Sequence, residues 1–286
     1  MSDTLPLSTL NADLESRVAE TLAFLRERTA VEPVVGITLG SGLGGAIDVI
    51  EDATVFSTGD LPHWPRSTVV GHAGRLAIGR WRGVPVAALS GRSHFYEGYP
   101  LDRVTFAVRV MRALGARVMV FTNAVGAIHP ELRPGDLVVA TDHLNWIGKH
   151  GLLSPAERTA RRAGRPYGSP YSARLREALE AAALAAQVPL SRGILMGGHG
   201  PTYETAAEIR MAARLGAHVA CMSTVHEVTV AAELGCEAAS LSCVTNRATG
   251  LSTTLLTHEE VAEVAGRVSG RLRAILEKFL EAESAR

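Results

Sequence analysis

The 286-residue chain carries 29 basic and 29 acidic side chains, so its formal net charge at pH 7 is zero. A neutral chain exerts no long-range attraction on a nucleic-acid backbone or an anionic membrane, so neither is expected as a partner. Its composition, 47% hydrophobic and 20% charged, is typical of a globular protein with a sizeable core. The sequence shows no signal-peptide or membrane-spanning run, and its three cysteines form no disulfide or zinc pattern. We therefore expect a reduced, cytoplasmic protein.

Apolar residues recur at helical spacing in several segments, and the last of them opens with a capping-box sequence at Thr257. The predicted helices cover residues 10–28, 102–114, 172–186, 205–215, 224–234 and a final stretch from 257 onward. Short apolar, β-rich runs alternate with them. The predicted strands cover residues 34–39, 75–81, 84–89, 117–122, 137–141, 192–196, 218–222 and 238–245. With no long linker, this alternation predicts one α/β domain over residues 1–286, a mixed β-sheet flanked by helices on both faces.

Ligands of α/β proteins gather at the carboxyl ends of the strands. Five predicted ends carry small or polar hydrogen-bonding residues, and this convergence predicts an active site. The five are Gly40-Ser41-Gly42, Gly91-Arg92-Ser93-His94, Thr122-Asn123-Ala124, Cys221-Met222-Ser223 and Thr245-Asn246.

The glycine turn at residues 40–45 matches the dinucleotide fingerprint G-x-G-x-x-G, with Asp60 at about the expected 20 residues beyond it. Asp60 lies in a segment predicted as a loop and not as the end of a second strand, which disfavours a dinucleotide site. A P-loop is excluded because Gly-Lys-Ser/Thr does not follow the turn. The turn can still bind an anion through its N–H groups, or it can be a tight turn without a ligand. The motif alone leaves both interpretations open.

Arg92 and His94 are two residues apart just after a strand, so an extended backbone directs both side chains to the same side. Arginine offers a planar fork to two phosphate oxygens, and histidine adds a switchable donor or acceptor. An Arg–Glu pair with a hydrogen-bonded loop histidine, involving Glu97, is the alternative. Together with the glycine turn and Ser223 at another strand end, the pair favours a phosphate site.

The chain resembles the trimeric purine nucleoside phosphorylases from Leu39 to His258, through the order and spacing of nine segments. These segments are Gly40-Ser41-Gly42-Leu43-Gly44, Gly71-His72-Ala73-Gly74, Gly91-Arg92-Ser93-His94-Phe95-Tyr96-Glu97-Gly98-Tyr99-Pro100, Thr122-Asn123-Ala124, Pro134-Gly135-Asp136-Leu137, Asp142-His143-Leu144-Asn145, Gly200-Pro201-Thr202-Tyr203-Glu204-Thr205-Ala206-Ala207-Glu208, Met222-Ser223-Thr224 and Thr245-Asn246.

The resemblance implies a nucleoside phosphorylase fold, a homotrimer and a role for each of twelve residues. Phosphate would be held by Ser41, His72, Arg92, His94, Ser223 and the backbone N–H of Ala124. The nucleoside would be held by Tyr96, Tyr203, Glu204, Met222, Asn246 and His258. The catalytic residues would be His94, Glu204 and Asn246.

Under this resemblance the substrates are a purine nucleoside and inorganic phosphate, and no cofactor or metal is expected. Phosphate would attack C1′ of the (deoxy)ribose and release the free base and a (deoxy)ribose 1-phosphate. Glu204 can accept a hydrogen bond from N1–H, which a 6-oxopurine has and neutral adenine lacks, while Asn246 can serve N7. The expectation is therefore a preference for inosine and guanosine over adenosine.

Several of these residues also have plain structural interpretations. Glu204 could form a helix-start pair with Glu208, and Asn246 could be a turn residue. His258 could be an ordinary first-turn residue of the last helix. Tyr96 and Met222, taken individually, would more often belong to a core.

The sequence also departs from the family pattern. Cys221 stands where the family usually has glycine, His226 stands where it usually has proline, and the Asn-Pro-Leu segment after Asn145 is absent. Tyr167 is our candidate for the aromatic that reaches into a neighbouring subunit. Two other functions stay open: a methylthioadenosine-type phosphorylase, which tends to carry aspartate at the position of Asn246, and a non-catalytic nucleoside-binding homologue.

Overall fold

The computed structural model describes residues 7–69, 74–148, 168–252 and 258–285. The helices within these ranges are α1 (Leu7–Arg26), α2 (Leu101–Val104), α3 (Phe106–Leu114), α4 (Ala173–Ala185), α5 (Ala206–Arg214), α6 (Val225–Glu233) and α7 (His258–Ser284). The strands are β1 (Val35–Leu39), β2 (Glu51–Ser57), β3 (Arg75–Trp81), β4 (Val84–Ser90), β5 (Val118–Ala127), β6 (Leu137–Asn145), β7 (Ser191–Gly197), β8 (Val219–Cys221) and β9 (Glu237–Arg247).

The described strands form one sheet in the order β2-β3-β4-β1-β5-β8-β7-β6-β9, and β5 also pairs with β9. The second pairing closes β5, β8, β7, β6 and β9 into a ring, from which β1 to β4 extend as an open sheet. Both pairing directions occur: β1 runs parallel to β4 and β5, whereas β3 runs antiparallel to β2 and β4. The predicted mixed α/β sheet is therefore confirmed, and its closure at one end is a feature that the sequence did not indicate.

Helices cover the sheet on both faces, as predicted. One core layer joins α3 and α6 to the sheet, and the other joins α4 and α7 to it. Helix α7 shows why, because its residues Val264, Val268, Leu272, Ile275 and Phe279 recur at helical spacing and are all buried. No helix in the described ranges is both long enough and apolar enough to cross a membrane.

One predicted helix and the reasoning about Asp60 need correction. The helix predicted over 102–114 is broken at Thr105, whose hydroxyl donates to the Leu101 carbonyl at 2.8 Å. Strand β2 was not predicted; Asp60 lies outside it as expected, in the 3₁₀ turn Thr58–Asp60, but this turn directly follows the strand, so the expected absence of a second strand does not exclude a dinucleotide site. A different observation disfavours the dinucleotide site: β3 and β4 separate β2 from β1, which leaves Asp60 far along the sheet from the glycine turn.

The two central strands run further than predicted. Strand β5 continues to Ala127, so Thr122-Asn123-Ala124 lies within that strand, whereas Thr245-Asn246 directly precedes Arg247, the last residue of β9, and lies at the strand end as predicted. The β5–β9 register shifts between Val125 and Gly126, and Gly126 lies opposite Asn246. Such an irregularity re-aims the side chains next to it. The polar groups therefore come from the interior of β5 and from the carboxyl end of β9.

Candidate active site

One cavity brings together ten of the twelve residues predicted for the site. These ten are Ser41, Arg92, His94, Tyr96, Ala124, Tyr203, Glu204, Met222, Ser223 and Asn246. His72, the side chain of His258 and the subunit-bridging candidate Tyr167 lie outside the part of the chain that the structure describes. The clustering locates the ten residues, while the role of each stays a prediction.

The glycine turn places Ser41 at the cavity by coming very close to β5. A Cβ on Gly40 would lie 2.8 Å from the Thr122 carbonyl oxygen and 2.9 Å from the Asn123 Cα, so a side chain does not fit there. Gly42 has φ of 74°, a left-handed conformation that glycine adopts without strain. The last glycines of the turn belong to a 3₁₀ segment, Gly44–Val49, so the turn does not open a long helix. Its contribution to the site is close approach to β5.

Arg92 is buried and makes contacts in three directions. Its Nη1 donates to the Ser223 hydroxyl at 3.4 Å and its Nη2 donates to the Thr122 carbonyl at 2.8 Å. Its Nε lies 3.2 Å from Oε2 of Glu227, which also accepts a hydrogen bond from the Thr224 N–H. The partner of Arg92 is therefore Glu227 and not Glu97. Sequence reasoning gave Glu227 no role, although its spacing from Thr224 is that of a capping box.

His94 is held by Glu97, its neighbour three residues on. The Glu97 Oε1 accepts from the His94 backbone N–H at 2.6 Å and lies 3.1 Å from Nδ1 of the ring. Burial raises the pKa of Glu97, but hydrogen bonds from His94 and Thr68 outweigh it and lower that pKa to about 2. An ionised Glu97 favours the tautomer of His94 that carries its proton on Nδ1. The imidazole also stacks on the Tyr96 ring, with centroids 4.8 Å apart.

Glu204 lies just outside helix α5, so its predicted alternative as a helix-start residue is wrong. Thr205 is the N-cap: its hydroxyl accepts from the Glu208 N–H at 3.2 Å, and the Glu208 carboxylate accepts from the Thr205 N–H at 2.6 Å. Glu208 thus caps the helix while Glu204 lines the cavity. Burial raises the pKa of Glu204. A Cβ on Gly198 would lie 2.9 Å from the Glu204 Oε1, so glycine leaves room for this carboxylate.

Asn246 lies within β9 and is 7% exposed, so it is not a turn residue. Its Oδ1 accepts from the Thr245 hydroxyl at 2.8 Å, and its Nδ2 donates to the Arg247 carbonyl at 3.0 Å. A Cβ on Gly126 would lie 3.1 Å from that Nδ2. The amide is therefore oriented by its own strand and faces a glycine on β5.

Cys221 and His226, which depart from the family pattern, lie near Arg92 and Ser223. The Cys221 thiol donates to the Ser223 carbonyl at 3.2 Å, and burial raises the pKa of that thiol to about 11. His226 is 2% exposed, and burial, reinforced by the charges of Arg92 and His94, lowers its pKa to about 3. Both side chains are thus neutral at pH 7. Thr224, between them, has φ of 69°, an unfavourable backbone conformation for a β-branched residue.

Comparison with known proteins gives the class to which this arrangement belongs. A model of the phosphorylase superfamily matches residues 34–281. The chain is 40% identical over 258 residues to purine nucleoside phosphorylase 1 of Bacillus subtilis strain 168, covering 89% of this chain and 94% of the relative. It is 40% identical over 251 residues to purine nucleoside phosphorylase 1 of Geobacillus stearothermophilus, covering 88% of this chain and 92% of that relative.

A solved structure supports the same class. The schistosome purine nucleoside phosphorylase in complex with hypoxanthine superposes with a TM-score of 0.81 at 28% identity, covering 93% of this chain and 96% of that one. The chain therefore belongs to the phosphorylase superfamily, and the predicted nucleoside phosphorylase fold is confirmed.

Proposed function

We propose that this chain is a purine nucleoside phosphorylase, a pentosyltransferase that uses inorganic phosphate to cleave the glycosidic bond of purine ribo- and 2′-deoxyribonucleosides. The products are the free base and the pentose 1-phosphate. The observation that carries the proposal is that one cavity is lined by an anion-binding group, Arg92 with Ser223 and His94, and by a base-binding group, Glu204 with Asn246.

The first group fits a phosphate. Arg92 is fixed by Glu227 and by the Thr122 carbonyl before any ligand binds, so little side-chain ordering is required of it. The hydroxyls of Ser41 and Ser223 and the N–H of Ala124 add neutral donors. Phosphate held beneath C1′ attacks from a fixed position and not after a chance encounter. In ideal cases such positioning lowers the activation barrier by about 7–11 kcal/mol.

The second group fits a purine that leaves with negative charge. Asn246 uses one N–H for the Arg247 carbonyl, and an amide has two, so the second can serve N7 of the base. A donor that binds the base more strongly as charge develops lowers the barrier to cleavage. If the leaving base carries a proton on N7, Oδ1 of Asn246 can instead accept a hydrogen bond from that N7–H.

We further propose that the enzyme prefers inosine and guanosine. A carboxylate at Glu204 accepts from N1–H of a 6-oxopurine, whereas neutral adenine offers no hydrogen there. Burial raises the pKa of the unliganded carboxyl and outweighs the backbone hydrogen bond that lowers it, so the ionised form would gain from a further contact with a hydrogen-bond donor. A ligand with N1–H supplies that contact.

Assembly as a homotrimer and a cytoplasmic location also belong to this proposal. Tyr203, Met211 and Leu215 are 44%, 49% and 56% exposed although they are large and largely apolar, which suits burial against another copy of the chain. All three cysteines are free and buried, which suits a reducing compartment. Light scattering tests the assembly: a mass of three chains supports the trimer, and a monomer contradicts it.

A substrate panel tests the activity against its alternatives. Base release is followed from inosine, guanosine, adenosine and methylthioadenosine, each with saturating phosphate. Faster release from inosine and guanosine is expected. If methylthioadenosine is the best substrate, the chain is a methylthioadenosine-type phosphorylase. If nucleosides bind and no base is released, it is a non-catalytic nucleoside-binding homologue.

A further inference from the structure

Asn123 combines deep burial with a side-chain amide that has no hydrogen-bond partner. The residue is 1% exposed and lines the cavity. Among the described residues, neither its Oδ1 nor its Nδ2 finds a donor or acceptor. A buried amide without partners is unfavourable, so such groups are completed by a ligand or by ordered water. Because Asn123 belongs to the lining of the cavity, a ligand bound there is the candidate partner for its amide.

The neighbours of Asn123 place it at the phosphate end of the cavity. The preceding residue, Thr122, accepts the hydrogen bond from Nη2 of Arg92 at 2.8 Å. The glycine turn packs against it, because a Cβ on Gly40 would lie 2.9 Å from the Asn123 Cα. The following residue, Ala124, also lines the cavity. Asn123 thus lies next to the glycine turn that carries Ser41 and next to Thr122, whose carbonyl accepts the hydrogen bond from Arg92.

The chemistry of an amide suits this place. Arg92 is the cation of the site, and Glu227 already offsets its charge at 3.2 Å. Neutral donors can therefore bind phosphate oxygens without requiring a further buried counter-charge. An asparagine side chain carries two N–H donors and one carbonyl acceptor, so it can also accept a hydrogen bond from the protonated oxygen of a hydrogen phosphate.

We propose that Asn123 is a phosphate-binding residue whose Nδ2 donates to an oxygen of the attacking phosphate. This inference rests on the proposed function, because it assigns the bound anion as the co-substrate. It adds a side-chain donor in the middle of β5 to the groups predicted from the sequence.

The test uses Asn123→Asp, which keeps the shape, removes both donors and adds a negative charge, together with Asn123→Ser, which keeps one donor. Steady-state kinetics with inosine should show that the KM for phosphate rises about 10-fold or more in Asn123→Asp, since hydrogen bonds to charged ligands are among the stronger ones. The KM for inosine should stay within about 2-fold, and Asn123→Ser should lie between the wild type and Asn123→Asp for phosphate.

The matched control is Ser240→Ala. Ser240 lies on β9, is 0% exposed and has an Oγ without a partner among the described residues, but it does not line the cavity. Its replacement should leave both KM values unchanged. A KM for phosphate that is unchanged in Asn123→Asp, or a change confined to the KM for inosine, would overturn the proposal.

Phosphate binding is also measured without nucleoside, from the rise in Tm that phosphate produces in each protein relative to its own baseline. A smaller rise in Asn123→Asp than in the wild type supports the inference even where a variant is less stable. An equal rise in both would overturn it. Phosphate binding without phosphorolysis would overturn the proposed function alone, whereas a wild type that phosphate does not stabilise would overturn both.

Discussion

The Nε of Arg92 lies 3.2 Å from Oε2 of Glu227, and the two side chains are 4% and 3% exposed. A chain with no net charge must capture an anion locally, and Arg92, the cation proposed to bind phosphate, is already paired with a carboxylate in the unliganded protein. Because both charges are buried, each depends on the other. Glu227 thereby positions Arg92 and partly offsets its charge, so under the proposed function phosphate would meet a reduced positive charge.

Replacing Glu227 with Gln should destabilise the protein by about 3 kcal/mol, because it leaves the buried Arg92 charge without its carboxylate. Phosphate should then raise the Tm of the variant more than that of the wild type, since the ligand supplies the missing negative charge. Urea unfolding and thermal scans with and without phosphate measure both effects.

The matched control for this variant is Glu180→Gln. Glu180 pairs with Arg192 at the surface, where the side chains are 26% and 60% exposed. Loss of a surface pair should cost less than about 1 kcal/mol and leave the phosphate effect unchanged. Equal losses from the two variants would contradict the assigned role of Glu227.

The pair of His94 and Glu97 predicts a pH-dependent difference in stability. Because the pKa of Glu97 is lowered to about 2 from an ordinary 4.5, the folded state favours its ionised form. Its stabilising contribution is complete above the ordinary pKa and is lost as pH falls through about 2. Glu97→Gln should therefore be less stable than the wild type at neutral pH, and the two should converge near pH 2. Denaturant unfolding from pH 7 down to 2 checks this, and a constant difference would argue against it.

His226 should make the protein sensitive to acid. Its pKa falls to about 3 from an ordinary 6.5, so below pH 6.5 the unfolded chain binds a proton that the folded protein does not. Stability should thus decline by up to about 1.4 kcal/mol per pH unit between those values. Unfolding of His226→Gln at pH 7 and pH 5 should show a shallower decline than the wild type. Identical slopes in the wild type and His226→Gln would refute the assignment.

Glu204 should show opposite effects on stability and activity. Burial raises its pKa, so the folded protein disfavours the ionised form, and that cost is present at neutral pH and absent at acid pH. Glu204→Gln should therefore raise the Tm at pH 7. It should lower kcat/KM for inosine about 10-fold to 100-fold, because it removes a charged acceptor from N1–H. A variant with wild-type activity on inosine would contradict its assigned contact with the base.

Periodicity predicted much of the fold. The stripe on α7 from Val264 to Phe279 repeats at helical spacing, and the structure buries it as expected. Strand β2 escaped prediction because it is an edge strand in which Phe56 is the one buried residue, so no apolar alternation marks it. The extensions of β5 and β9 escaped because Gly126 and Asn246 are residue types that usually mark turns.

The sequence predicted which residues line the site but not the contacts that hold them in place. Motif order and spacing brought out ten residues that the structure gathers around one cavity. The contacts that hold them could not be predicted, because Glu227 reaches Arg92 from 135 residues away along the chain and its local spacing indicates only a helix cap. Asn123 was noted as part of a polar strand segment, and the sequence alone could not show that its amide lacks a partner.

The central claim is that phosphate, and not water, accepts the pentose. The most direct measurement follows hypoxanthine release from inosine with and without phosphate while ³¹P NMR monitors the sugar phosphate. We expect release only with phosphate, with one pentose 1-phosphate formed for each base released. Base release at the same rate without phosphate, or release without formation of a pentose 1-phosphate, would contradict the claim.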